Sequence, residues 1–280
     1  MLAMERRSQI LARLQSEGNV VVADLSRLYR VTEETIRRDL DKLEQEGYAR
    51  KTYGGAVRAE SSQVDLPYIV RTLTHVDEKQ AIANLIAARV PDGASLALDA
   101  SSSALFAARA LLGKKRLSLI TNSIEILTEL VGKTDWNILS TGGTLKGNGL
   151  ALIGPPAERM IENFHVNWAV LSSKGLDASM GFMDANEQDA QIKRAFIRQA
   201  SHTVFLVDSS KFNQQSFVQI APLGAAEWIV TDAAPDALWI DRLNDAGVSL
   251  LTPQAEYIQS RTVPGEIPRD ISREISGDIL

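Results

Sequence analysis

The sequence TEETIRRDL at residues 32–40 decides the fold of the N-terminal part of this 280-residue chain. Thr32 is a typical helix N-cap, and the two glutamates that follow it favour the positive end of a helix. Ile36, Leu40 and Leu43 then recur at the spacing that places them on one helical face. The stretch therefore predicts an amphipathic helix that begins after Thr32 and buries this face.

Two shorter helical patterns precede this stretch. Apolar residues recur at helical spacing through residues 5–17, and Gly18 then supplies a stop. A second pattern covers residues 22–29, with Leu25 and Leu28 on its inner face. Three short helices with a tight turn before the last predict a helix-turn-helix.

A wing is predicted after the third helix. Residues 48–57 alternate in character and contain the pair Gly54-Gly55, which is typical of a two-stranded hairpin. Side chains away from the buried face of the third helix are free to enter a major groove, and basic residues on the hairpin lie where a winged helix meets DNA. The candidate DNA-contacting residues are Thr32, Thr35, Arg37, Arg38, Arg50 and Lys51.

An alternative for the arginines of the third helix is a solvated face. On that interpretation Arg37 and Arg38 pair with the nearby carboxylates of Glu33, Glu34 and Asp41 and contact nothing else. Spacing alone leaves both interpretations open.

Composition indicates a soluble globular protein and argues against disulfide-bonded and metal-binding classes. The chain is 45% apolar and 23% charged, which is typical of a soluble globular protein with one or two domains. Its net charge of −5 divides into +1 over residues 1–60 and −6 over residues 61–280, and neither value by itself indicates nucleic-acid binding. The absence of cysteine and the wide spacing of three histidines lead us to expect no disulfide, metal site or cofactor.

Hydropathy gives an expectation about location. No charge-free run reaches the roughly 18 residues that a membrane span needs, and Glu5 introduces charge before any apolar segment of a secretory signal. We therefore expect a cytoplasmic protein that has no membrane partner.

Beyond residue 66, apolar runs of strand length alternate with amphipathic helical stretches. This alternation predicts an α/β domain with an open, mostly parallel sheet and helices on both faces. The predicted strands are residues 95–98, 117–120, 136–139, 168–171, 203–207, 228–230 and 248–251. The predicted helices are residues 104–112, 124–131, 156–164, 187–200 and 236–246.

Polar residues follow five of these strands. The carboxyl ends of parallel strands meet at one crevice, where small hydroxyl residues, glycines and helix N-termini admit an anion. Asp99 and Asp208 suit the recognition of hydroxyl groups, and a lysine can add a full positive charge. The expected ligand is a small phosphorylated polyhydroxy compound. The candidate residues are Asp99, Ser101, Ser102, Ser103, Thr121, Asn122, Ser123, Gly142, Gly143, Lys193, Asp208 and Lys211.

Each of these features also has a purely structural explanation. Serine-rich turns are commonly helix caps, a glycine pair is commonly an ordinary turn, and a lone lysine is commonly a solvated surface residue. The five polar strand ends taken together favour a ligand.

The N-terminal pattern joins Arg6, Ile10, Leu14 and Thr32 to TIRRDL at residues 35–40 and to GGA at residues 54–56. In these residues the chain resembles the DeoR family of bacterial transcription regulators. The resemblance implies that Thr35, Arg37 and Arg38 contact DNA, and that Asp39 orients an arginine.

The resemblance continues to about Leu251 through DEK at residues 77–79, TNS at 121–123, GG at 142–143, KR at 193–194 and DSSKF at 208–212. It implies a sugar-phosphate sensor domain related in fold to ribose-5-phosphate isomerase and glucosamine-6-phosphate deaminase. Two positions depart from the family. Ser101 stands where glycine is usual, so that its Cβ narrows the space for a phosphate, and Ser172 also replaces a common glycine.

Together these observations predict four segments: a winged helix-turn-helix at residues 1–58, a linker at 59–73, a sensor domain at 74–253 and a mobile, dispensable tail at 254–280. The expected protein is a repressor of a carbohydrate catabolic operon. We expect it to bind a double-stranded DNA operator as a homodimer or homotetramer, under the control of a phosphorylated sugar or sugar alcohol.

Two alternatives stay open at this point. One is a sugar-phosphate isomerase or deaminase with an accessory DNA-binding module; because no histidine lies at the strand ends, its catalytic set is incomplete and we expect no enzyme. The other is a constitutive DNA-binding protein with a structural C-terminal domain, which Ser101 favours. The acid–base groups available to the first alternative are Asp99, Asp184, Glu187 and Asp208, with Lys211 to stabilise an enediolate.

Overall fold

The computed structural model describes residues 1–59, 66–146 and 150–254, together with the backbone of residues 256–257. The N-terminal domain contains three helices and a small antiparallel sheet with the order β1-β3-β2. Its elements are α1 (Ala3–Glu17), β1 (Asn19–Val21), α2 (Val22–Tyr29), α3 (Glu33–Gln45), β2 (Ala49–Thr52) and β3 (Gly55–Arg58).

The start of α3 follows the predicted capping. The Thr32 hydroxyl accepts a hydrogen bond from the Thr35 amide at 3.3 Å, and Ile36, Leu40 and Leu43 are buried in the domain core. All three predicted helices of this domain are confirmed, but Leu28 of α2, which was predicted on the inner face, is 52% exposed.

The wing has one strand more than the predicted hairpin. β1 pairs antiparallel with β3, where Val20 lies opposite Ala56. The two strands approach so closely at Gly55 that a Cβ at this position would lie 2.0 Å from the Val20 carbonyl oxygen. A three-residue strand carries too little periodicity to be detected from sequence.

The C-terminal domain is built on one eight-stranded sheet with the order β16-β15-β14-β12-β9-β4-β5-β6. All its strand pairs are parallel except the pair formed by β16. The elements up to the sheet's centre are α4 (Tyr68–Leu73), α5 (Val76–Arg89), β4 (Ser95–Leu98), α6 (Ser102–Ala110), β5 (Ser118–Thr121), α7 (Ile124–Leu130), β6 (Asn137–Ser140), β7 (Thr144–Leu145), β8 (Leu152–Ile153), α8 (Pro155–Ile161) and β9 (Val166–Ser172). The rest are β10 (Gly175–Asp177), β11 (Gly181–Asp184), α9 (Glu187–Arg198), β12 (Ala200–Leu206), β13 (Val218–Ala221), β14 (Trp228–Val230), α10 (Ala237–Asp245), β15 (Ser249–Leu251) and β16 (Glu256–Tyr257).

The predicted α/β architecture is confirmed, with all seven predicted strands in the large sheet. Two apolar clusters cover the faces of this sheet. Helix α5 and the small antiparallel sheet β10-β11-β13 are additions that the sequence analysis missed. No described helix is both long and apolar enough to cross a membrane.

The segment predicted as a linker at 59–73 contains helix α4. Its six residues cover less than two turns, which is too short for a periodic signal, so that tertiary packing holds it. Val70 is buried in the core of the N-terminal domain, and Tyr68 is buried in the core of the C-terminal domain. The prediction of a mobile tail falls almost entirely outside the described residues.

Candidate effector cavity and nucleic-acid interface

A cavity of about 850 Å³ lies at the carboxyl ends of the central strands. Its volume is within the range of small-molecule sites. One wall is the end of β4 with the start of α6, and others are the ends of β9 and β12. The N-terminal domain closes one side through residues such as Ser16, Tyr48 and Arg58.

Eight of the twelve predicted ligand-binding residues line this cavity: Asp99, Ser101, Ser102, Ser103, Asn122, Lys193, Asp208 and Lys211. The structure does not bring the other four to its wall. Thr121 donates to the Leu98 carbonyl oxygen at 2.7 Å, and Ser123 caps α7. Gly142 and Gly143 have positive φ, and a Cβ at Gly143 would lie 2.6 Å from the Ile153 carbonyl oxygen.

Asp99 is buried beneath the cavity and already has several protein partners. One carboxylate oxygen accepts from the Ser101 hydroxyl at 2.5 Å, and the other accepts from the Ser172 amide at 3.0 Å. The Ser101 hydroxyl also accepts from the Ala104 amide at 3.0 Å, which makes it the N-cap of α6. The Ser101 hydroxyl, which a glycine would lack, therefore helps to hold Asp99, whereas Ser172 acts through a backbone amide that a glycine would also supply.

The Lys193 ammonium also has protein partners already. Its ammonium lies 3.4 Å from Asp99 and in direct contact with Asp184, and the residue is only 7% exposed. Burial opposes its charge, yet the Asp184 and Asp99 carboxylates raise the pKa of Lys193 above its ordinary value. This lysine therefore neutralises buried carboxylates and is not free to bind an anion.

Asp208 and Lys211 face the cavity together at the end of β12. Burial opposes ionisation, but Lys211 and the Ser210 hydroxyl hold the pKa of Asp208 below its usual range. Asp208 is therefore an ionised acceptor with a cation beside it.

Unpartnered polar groups point to a ligand at this place. Asn122 Oδ1 and Ser173 Oγ are buried and have no hydrogen-bond partner in the described part of the chain. Helix geometry also leaves the Ser102 and Ser103 amides free at the N-terminus of α6, because Ser101 caps only the amide of Ala104. Buried polar groups usually have partners, so these four groups mark where a polar ligand fits.

Sequence analysis missed Lys79 and Ser173 as cavity residues. Lys79 is 5% exposed and lies on the buried face of α5 with Ile82, Ala83 and Ile86. The sequence did contain a signal for Lys79, because a lysine stands at a position where the helical pattern calls for an apolar residue. Ser173 lies in a strand end that was recognised, but no feature distinguished it from its neighbours.

The candidate DNA-contacting side chains lie on the exposed side of the N-terminal domain. Arg37 pairs with Glu33 at 2.6 Å and Arg38 with Glu34 at 3.1 Å, while Lys51 contacts Asp41. Exposed ion pairs of this kind contribute little to stability, so phosphate or base contacts can replace them.

Other side chains at the start of α3 and on the wing complete this surface. The Thr32 and Thr35 hydroxyls lie 2.9 Å apart at the start of α3. Arg50 is exposed on β2, and Tyr53 at the tip of the wing is fully exposed and was not predicted. Beneath this surface the buried Asp39 accepts a hydrogen bond from Arg6 of α1, and Arg6 is therefore the arginine that it orients.

Comparison with protein families matches both domains. Residues 6–62 match the DeoR-like helix-turn-helix domain, and residues 74–233 match the DeoR C-terminal sensor domain. Solved structures with a similar fold include ribose 5-phosphate isomerase A from Neisseria gonorrhoeae. The match has 15% sequence identity and a TM-score of 0.37, and it covers 50% of this chain and 54% of that chain.

Full-length relatives agree with the domain matches. The uncharacterized HTH-type transcriptional regulator YulB of Bacillus subtilis is 38% identical over 250 residues, covering 89% of this chain and 96% of the relative. The glycerol-3-phosphate regulon repressor of Escherichia coli is 28% identical over 246 residues, covering 88% and 97%. The sensor match alone spans more than half of the chain, and this protein therefore belongs to the DeoR family of DNA-binding transcription regulators.

Proposed function

We propose that this protein is a sequence-specific repressor whose hold on operator DNA changes when a phosphorylated sugar or sugar alcohol binds the cavity. The observation that carries the proposal is the N-terminus of α6, which presents the free amides of Ser102 and Ser103 to a cavity that Lys79 and Lys211 also line. Helix N-termini with nearby cations bind phosphate groups.

The rest of the cavity suits a polyhydroxy compound. Asn122 Oδ1 and the Asp208 carboxylate accept hydrogen bonds, and Ser173 Oγ both donates and accepts. We place Asp99 and Lys193 below the ligand, where they hold α6 and β9 in position.

The proposed DNA contacts follow the helix-turn-helix geometry. Helix α3 enters the major groove with Thr35, Arg37 and Arg38, while Thr32 at its N-cap and Arg50 and Lys51 on the wing meet the flanking backbone. A homodimer or homotetramer would place two such surfaces on successive half-sites, which raises the apparent affinity. We place this assembly in the cytoplasm.

The names of relatives support a carbohydrate ligand. They include the glycerol-3-phosphate regulon repressor of Escherichia coli and a putative aga operon transcriptional repressor. These names describe those proteins, and the polar cavity is what extends the idea to this chain.

Thermal unfolding tests the proposal. The purified protein is heated with a panel of sugar and sugar-alcohol phosphates and with the unphosphorylated form of each. A ligand at 100 times its dissociation constant stabilises the native state by about 2.7 kcal/mol, which shifts the midpoint clearly. A shift with a phosphorylated member alone, followed by altered DNA binding, supports the proposal. No shift with any member supports a constitutive DNA-binding protein instead.

A further inference from the structure

Helix α4 belongs to both domains. Val70 lies with Ile10 and Leu14 in the N-terminal core, whereas Tyr68 lies with Ile82 in the C-terminal core. The helix also contacts α1 and α6. A displacement of α4 therefore moves α1 relative to the sensor domain.

Lys79 holds the end of this helix. Its ammonium donates to the carbonyl oxygen of Arg71 at 2.5 Å and to that of Thr74 at 2.6 Å. Carbonyls at a helix C-terminus lack partners within the helix, and the lysine supplies them; the Arg71 carbonyl also accepts a longer hydrogen bond from the Thr74 hydroxyl at 3.5 Å. Among the described residues, no carboxylate lies within ion-pairing distance of Lys79.

Lys79 also lines the cavity, together with Arg71 and Thr74. An ammonium has three donors, and the two carbonyls of the α4 end use two of them. Burial lowers the pKa of Lys79 to about 8, although Asp208 acts in the opposite direction. A buried cation held only by neutral carbonyls gains more from a full negative charge than from either carbonyl.

We propose that Lys79 is the positioning residue through which an anion in the cavity acts on helix α4 and so on the DNA-binding domain. The inference rests on the proposed function and adds the path of its regulation. With an empty cavity, Lys79 clamps the end of α4. An anionic group that attracts the ammonium weakens its bonds to Arg71 and Thr74, and the helix loosens.

Hydrogen exchange of the α4 amides in the full-length protein tests the clamp without any ligand. In Lys79→Met the α4 amides exchange faster than in the wild type by about tenfold, because two hydrogen bonds from a charged donor are lost. Lys146→Met is the matched control. Lys146 also lines the cavity but pairs with Asp189, so its loss leaves α4 exchange unchanged. Equal α4 exchange in Lys79→Met and the wild type overturns the proposal.

Lys79→Arg keeps the test decisive if Lys79→Met does not fold. It retains the charge, and we expect α4 exchange within about threefold of the wild type, because a guanidinium can still donate to both carbonyls. The α9 amides report whether Lys79→Arg is folded. If they stay protected while the α4 amides exchange as fast as those of an unprotected peptide, a clamp that depends on charge is contradicted.

The ligand step uses inorganic phosphate as the probe, with chloride at equal ionic strength as its control. Phosphate accelerates α4 exchange in the wild type by about tenfold and has no further effect in Lys79→Met. If phosphate raises the unfolding midpoint but leaves α4 exchange unchanged, the clamp proposal fails and the proposed function stands. If neither phosphate nor any sugar phosphate raises the midpoint, the proposed function fails, while the ligand-free comparison still decides the clamp.

Discussion

Arg6 Nε of helix α1 donates to the Asp39 carboxylate of helix α3 at 2.6 Å, and both residues are buried. Arg7 adds a longer contact with the same carboxylate at 3.8 Å. The pair joins the first helix of the DNA-binding domain to its recognition helix, and it explains why an acidic residue lies on the buried face of α3 beside Ile36, Leu40 and Leu43.

Asp39→Asn should lower the free energy of unfolding by about 3–5 kcal/mol, because it leaves the Arg6 charge buried without its partner. Chemical denaturation followed by circular dichroism measures the loss. Asp24→Asn is the control, since Asp24 pairs with Arg27 on the surface and its loss should cost less than about 1 kcal/mol. Equal losses in the two variants would show that the buried pair is not important for stability.

Arg37→Ala should weaken operator binding by about 1–3 kcal/mol if its guanidinium contacts a base. The measurement is a titration with a DNA duplex selected from a random library by the wild-type protein. Arg27→Ala serves as the control, because Arg27 is also an exposed helical arginine, on α2, and also pairs with a neighbouring carboxylate. Unchanged affinity in Arg37→Ala would remove Arg37 from the DNA contacts.

Ser101→Ala and Ser123→Ala should each lower stability by about 1 kcal/mol, because each serine caps a helix. Only Ser101→Ala should weaken phosphate binding, since α6 faces the cavity and α7 does not. Thermal unfolding with and without phosphate separates the two effects. Weaker phosphate binding in Ser123→Ala would place Ser123 at the ligand after all.

Phosphate affinity should fall as the pH rises above about 8. Lys79 is charged below its pKa of about 8 and neutral above it, so its attraction for an anion is complete at pH 7 and is lost with increasing pH, by up to about tenfold per pH unit. Asp208 and Glu78 favour the charged form, whereas burial, Lys211 and Arg71 oppose it. Calorimetric titration between pH 7 and 9.5 gives the profile.

Lys79→Arg is the control for this pH dependence, because a guanidinium stays charged over the whole range. Its phosphate affinity should be almost constant. A wild-type affinity that is equally constant would mean that Lys79 does not contact the anion.

Elements with strong local patterns could be predicted closely. Helix α2 and strands β4 and β14 have the same bounds in the sequence analysis and in the structure, because α2 has an amphipathic pattern and both strands are short apolar runs followed by polar residues. Strand β1 and helix α4 were missed because each is short and depends on packing between segments that are distant in sequence.

The cavity residues show a second limit. Lys193 was predicted to bind the ligand and Lys79 was not, because only three-dimensional packing shows that Lys193 is surrounded by carboxylates while Lys79 contacts neutral carbonyls. Strand ends predicted where the cavity lies, but partner groups from other elements decide which charges remain available in it.

The shared helix α4 also limits how this architecture can be recombined. A chimera joined before α4 would set Val70 against a foreign α1, and one joined after it would set the Arg71 and Thr74 carbonyls against a foreign lysine. Neither junction preserves both the contact of α4 with α1 and its contact with Lys79. Operator specificity and ligand specificity in such a protein cannot be exchanged as independent modules, and successful grafts will have to carry matched residues across the junction.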